Sequence, residues 1–194
     1  MTKRVLKGDY LNKIYEKNLD TGNFIIPVSL DKYNDIFNDW DSAPFKKRDI
    51  DPDLARFLED CADDIPVKYG IDVVFHVSNQ QKDETREQML VSIFRTYYSF
   101  YYVGQMKVLK RSYRSIAQYV ITAFVFLTFI YMSRNFERER VFLSTILMSG
   151  IEIGAWVFLW EAISFFFKKG DITDKIKKYK RFSECNIFFK YEKR

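Results

Sequence analysis

Two long apolar stretches separated by a short polar one set the possibilities for this chain. SIAQYVITAFVFLTFIYMS, residues 115–133, runs 19 residues without a charge, and VFLSTILMSGIEIGAWVFLWEAISFFF, residues 141–167, runs 27 with Glu152 and Glu161 as its only charges. The seven residues RNFERER join them. Roughly 20 residues of helix cross a bilayer core of about 30 Å, so each stretch is long enough to span it, the second with tilt or overrun. Two such helices buried in a water-soluble protein would need a covering domain larger than the rest of a 194-residue chain supplies. The sequence therefore predicts a transmembrane hairpin.

Charge fixes the expected orientation. Residues 1–114 hold 18 Lys/Arg and 18 Asp/Glu, which cancel, whereas residues 168–194 hold 10 basic groups against 4 acidic ones. A basic excess trailing the second span argues against nucleic acid as a partner. Lys107, Lys110, Arg111 and Arg114 precede the first span, and Lys168, Lys169, Lys175, Lys177, Lys178, Lys180 and Arg181 follow the second, against Arg134, Arg138 and Arg140 in the loop. Cation-rich flanks stay cytoplasmic, so both termini are expected there, with the seven cations after the second span lying on the anionic inner leaflet. The opening MTKRVLKGDYLNKIYEKN has no apolar run behind it, and no cleavable signal peptide is expected.

The two intramembrane carboxylates need partners, because a charge at mid-bilayer costs about 2.5–3.5 kcal/mol. In a hairpin turning at residues 134–140, Glu161 comes level with Tyr113 and Arg114 near the cytoplasmic interface, and Glu152 level with Thr122 near the middle. Nine helical residues turn through about 900°, which places the two carboxylates on opposite faces. Gly150 and Gly154, a GxxxG pair, fall on the Glu161 face. Gly150, Gly154 and Glu161 are thus expected to face the first span, with Glu161 bonded to Arg114 or Tyr113. Glu152 is then directed to a second copy or another membrane protein; the alternatives make it a proton- or ion-pathway group or a neutral, protonated acid facing lipid.

Outside the hairpin, FIIPVSL (24–30), IDVVFHVS (71–78) and NIFFKYEK (186–193) read as strands. Ser29 or Asp31 is expected to cap a short helix over 31–40, and Asp51 with Pro52 to open one over DIDPDLARFLEDCADDI. A long helix begins near Glu84 and runs into the first span, carrying the aromatic run YYSFYYV. The Asp-rich segment 38–66 offers Asp39, Asp41, Asp49, Asp51 and Asp53 as a conceivable divalent-metal site. Its spacing lacks a calcium loop's glycine and bidentate glutamate, and Lys46, Lys47 and Arg48 would neutralise those acids. Helix caps in a self-neutralising interaction loop (Asp39, Asp41, Arg48, Asp49, Asp51) are the expected arrangement. The 11 acidic against 5 basic residues in 31–64 form a surplus that could dock the basic tail. His76 is the only histidine, and Cys61 and Cys185 lie far apart, which excludes histidine triads and multi-histidine metal sites and fits free thiols in a reducing compartment. Neither a cofactor nor a small-molecule substrate is indicated.

The element NDWDSAPFKKRDIDPDLARFLEDCADDIP ahead of a strand, together with GIEIGAWVFLWEAISFFF in a second span, resembles a family of uncharacterised bacterial two-span integral membrane proteins that share DWDxxP, a basic cluster, D-[IL]-D and a GWV-like turn. The resemblance covers roughly residues 24–180, and Ala155 departs from it by separating Gly154 from Trp156. It implies a cytoplasmic α/β portion and two spans in a bacterial inner membrane, and no activity.

The expected organisation is a polar segment 1–23, an α+β domain 24–114, a hairpin 115–167, and a basic tail 168–194 that returns the last strand to the domain. The expected function is non-enzymatic: a membrane-embedded homo-oligomer or accessory subunit contacting other proteins. An ion-linked channel subunit using Glu152 and a membrane-anchored metal enzyme using the Asp-rich loop are the alternatives.

Overall fold

The computed structural model describes residues 10–38, 40–41, 49–136 and 142–191. The chain is α+β and divides into two compact units, Met1–Val103 with Asp174–Arg194, and Gly104–Thr173. Its elements are β1 (Phe24–Leu30), a 3-10 turn (Tyr33–Ile36), α1 (Pro52–Asp64), β2 (Ile71–Val77), α2 (Glu84–Phe136), α3 (Phe142–Glu184) and β3 (Asn186–Tyr191).

The first unit is built on a three-stranded sheet, order β1-β2-β3, parallel throughout. β2 is central, and its near-continuous apolar run IDVVFHV is buried except at His76, as suits a strand with neighbours on both sides. β1 alternates buried and open positions, and Pro27 is tolerated because β1 is an outer strand. Register places Val28, Phe75 and Phe189 abreast on one face. Phe75 meets Phe94 edge-on at 6.4 Å, Phe94 meets Phe182 at 6.2 Å, and Tyr98 stacks on Phe182 at 4.5 Å. The first turns of α2 and the last of α3 thereby cover that face. Each of these rings removes 150–250 Å² from water, about 25 cal/mol per Å², which makes the aromatic layer the main source of stability here.

α1 opens as the residues dictate. Asp51 Oδ1 accepts the Asp53 and Leu54 amides at 2.9 and 3.1 Å, Pro52 takes the first helical position, and Ala55, Leu58 and Ala62 bury one stripe. The 3-10 turn is closed differently from expectation. Neither Ser29 nor Asp31 caps it; the Asp35 carboxylate reaches back to the Asp31 and Lys32 amides at 3.0 and 2.8 Å. A single turn is short enough for its own acidic residue to satisfy the free amides at its start.

The second unit holds the later part of α2 and the earlier part of α3, packed along a seam of small and aromatic residues. Ala123 and Ile130 on α2 and Ala155, Ala162 and Phe165 on α3 are buried. Phe158 meets Tyr119 and Phe126 at 5.9 Å each, and Tyr113 meets Phe165 at 5.4 Å. Residues 155, 158, 162 and 165 recur at the three-and-four spacing of one helix face.

Candidate functional site: the apolar helical pair

Both helices of the second unit are apolar around most of their circumference, so packing against each other leaves most of that surface uncovered. Barely a tenth of each helix's most apolar stretch is buried. Among the described residues between Ile121 and Phe167, fifteen large apolar or aromatic side chains are more than a third exposed, among them Trp156 at 65%, Trp160 at 69% and Phe167 at 82%. Soluble proteins rarely expose contiguous apolar patches beyond a few hundred Å². A helix apolar on all sides belongs in a core or a membrane.

The seam corrects the expected helix face. A Cβ added at Gly154 would meet the Phe126 ring at 3.7 Å, so Gly154 does face α2, whereas at Gly150 nothing lies within 4 Å. Ala123, Ala155 and Ala162 are the small residues buried in the seam beside Gly154. At 100° per residue the stripe centres among Ala155, Phe158 and Ala162, and Glu161 falls roughly 90° from that centre. Glu161 is accordingly exposed, and its carboxylate lies 3.9 Å from the Lys168 ammonium, not against Arg114 or Tyr113. Tyr113 packs on Phe165 and lies 5.2 Å beneath the Lys169 ammonium. Arg114 is exposed, and Thr122 and Glu152 are half-buried.

The seven cations after the second span divide into two groups. Residues 168–184 continue α3 as helix. Lys168, Lys175, Lys177 and Lys180 are exposed and Lys169 half-buried, but Lys178 and Arg181 turn onto α1 and are not surface anchors. Lys178 Nζ lies 2.6 Å from Asp63 and 3.9 Å from Glu59. Arg181 donates to the Ala62 and Ile65 carbonyls at 3.3 and 3.1 Å, where the end of α1 leaves carbonyls unpaired. The acidic surplus of 31–64 does dock this segment. Burial raises the Glu59 carboxyl above the ordinary glutamate range, against the pull of Lys178.

Within the Asp-rich loop, Asp39 and Arg48 lie outside the described residues. Asp41 Oδ2 accepts the Asp49 amide at 2.8 Å, Asp51 is the helix cap, and Asp53 lies 3.5 Å from Arg56. Among the described residues, no three His, Cys, Asp or Glu side chains converge as a cation would require. Cys61 and Cys185 are free thiols, and burial pushes Cys185 up to about 12, which leaves little thiolate at neutral pH.

Two polar clusters carry no sequence signature. Asp72, fully buried, accepts Thr21 Oγ1 at 2.6 Å, Asn18 and Asn23 Nδ2 at 2.8 Å each, and Asn186 Nδ2 at 3.0 Å. Burial alone would raise its pKa, but the bonds from Thr21, Asn23, Asn186 and Asn18 together hold the carboxyl below the usual aspartate range. Gly70 makes room for this cage, since a Cβ there would sit 2.0 Å from Asn23 Oδ1. At the carboxyl ends of the strands, Tyr191 donates to Glu87, and its hydroxyl lies 2.5 Å from that of Tyr33. The Asp83 amide donates to Tyr33 at 3.2 Å. Ligands of parallel sheets bind at this end. Here the hydroxyls and the carboxylate are spent on one another and tie β3 to the first turn of α2.

Fold and surface together define an α+β protein with two helices long and apolar enough to cross a membrane. Compared with family models, curated proteins and solved structures, the chain matches none.

Proposed function

We propose that residues 115–133 and 141–167 cross a bilayer as an antiparallel pair and hold the α+β unit at its cytoplasmic surface, in a bacterial inner membrane. The protein works there by protein contacts, as a homo-oligomer or an accessory subunit of another membrane protein, and not by catalysis. The uncovered apolar surface carries this reading. A fully buried Leu or Phe gains about 1.5–3 kcal/mol over an exposed one, so fifteen exposed side chains favour lipid over water by far more than any folded domain's net stability. Lys107, Lys110, Arg111 and Arg114 before the first span and Lys168, Lys169, Lys175 and Lys177 after the second support a cytoplasmic placement of both ends. The DWDxxP element and the second-span pattern support membership of the bacterial two-span family they resemble.

Cysteine labelling tests the orientation. In a background of Cys61→Ser and Cys185→Ala, Arg138→Cys is expected to react with a membrane-impermeant maleimide in intact cells, and Lys190→Cys only after permeabilisation. Protection of position 138 in intact cells together with labelling after permeabilisation would overturn it.

A further inference from the structure

Four cations on α2 share one face. Lys107, Lys110, Arg111 and Arg114 stand at i, i+3, i+4 and i+7, a spacing that holds them within an arc of about 100°. All four are exposed, and none has an ion-pair partner among the described residues. The same face continues toward the hairpin as a shallow apolar groove lined by Ile121, Phe124, Val125, Thr128, Phe129 and Met132. Ala123 and Ile130, which pack on α3, lie on the opposite side of the helix, so the cations and the groove both point away from the seam.

We propose that this face of α2 binds an anionic phospholipid, its phosphate among Lys110, Arg111 and Arg114 and an acyl chain along Ile121 and Val125. The inference rests on the hairpin lying in a bilayer and names the lipid it selects there. Lengths agree: with Arg114 at headgroup depth, Ile121 lies about 10 Å and Val125 about 17 Å further along the helix, against about 15 Å for half a bilayer core. Charge selects the lipid. A zwitterionic headgroup brings a choline cation against four cations, whereas an anionic one brings net negative charge and phosphate oxygens that a guanidinium can hold by two hydrogen bonds. A free duplex nucleic acid would use the cations but has no use for an apolar groove in line with them.

The full chain is reconstituted in phosphatidylcholine vesicles containing one fifth phosphatidylglycerol, and spin-labelled lipids report which headgroup is retained at the protein. Wild type is expected to prefer phosphatidylglycerol over phosphatidylcholine by roughly fivefold. K107Q/K110Q/R111Q/R114Q is expected to lose that preference, while the charge-keeping K107R/K110R/R111K/R114K and K32Q, an exposed position of the first unit, retain it. Equal retention of both lipids by wild type, or preference surviving in the glutamine variant, overturns the assignment. So does tight binding of duplex DNA by the detergent-solubilised chain that the glutamine variant abolishes. Failure of wild type to enter vesicles at all would instead remove the bilayer reading beneath it, and flotation of the vesicles reads that separately.

Discussion

Asp72 is the residue on which the end of the sheet turns. It is a carboxylate shielded from water and held by four side-chain donors from two separate segments. Replacing it by alanine strands Asn18, Thr21, Asn23 and Asn186 without their acceptor, and Asp72→Ala is expected to cost about 3 kcal/mol. The sign of its pH dependence follows from a depressed pKa. Its contribution is fully present above the ordinary aspartate value of about 3.9 and is lost as pH falls through the lower folded value. Thermal unfolding of the full chain in mild detergent, followed from about pH 7 down to about pH 2, should show an acid-labile limb that is weakened in Asp72→Ala. Equal stability of variant and wild type at neutral pH would show that the cage is incidental. Nothing in the sequence around Asp72 announces this role. It interrupts an apolar strand, and its donors are supplied from 49 to 114 positions away.

Among the elements, legibility follows locality. β1 and β2 were readable as β-branched and aromatic runs between turn residues, α1 from Asp51 and Pro52, and the start of α2 near Glu84, because each is decided within a few residues. The helix seam is decided by two surfaces meeting, and there the local pattern misled in part. Of the GxxxG pair, Gly154 faces Phe126 as the pattern suggested, but Gly150 has no neighbour among the described residues, while Ala155 and Ala123 are fully buried in the seam. Lys178 and Arg181, read as membrane-surface cations, instead make the docking that the acidic surplus of 31–64 suggested, and only the folded domain shows which cations the last turns of α3 bring against the end of α1. The seam makes its own prediction. Ala155→Leu inserts about three carbons where none fit, at a cost of about 1–3 kcal/mol, and should lower the thermal midpoint of the detergent-solubilised chain. Ile153→Leu, on an exposed position of the same helix, should leave it unchanged. Equal midpoints for the two would place the helix contact elsewhere.

At the scale of the whole molecule, one chain carries two solutions to the problem of apolar surface. The first unit buries its aromatic residues in a layer over three parallel strands. The second leaves Ile121, Phe129, Trp156, Trp160 and Phe167 uncovered, the surface that the proposed bilayer would cover. The most direct measurement is the partition of the full chain after cell membranes are washed in alkaline carbonate, which strips peripheral proteins and leaves bilayer-spanning ones. Retention in the membrane pellet, with release only by detergent, is the predicted result. Recovery of the intact chain as a soluble monomer in the carbonate supernatant would contradict it.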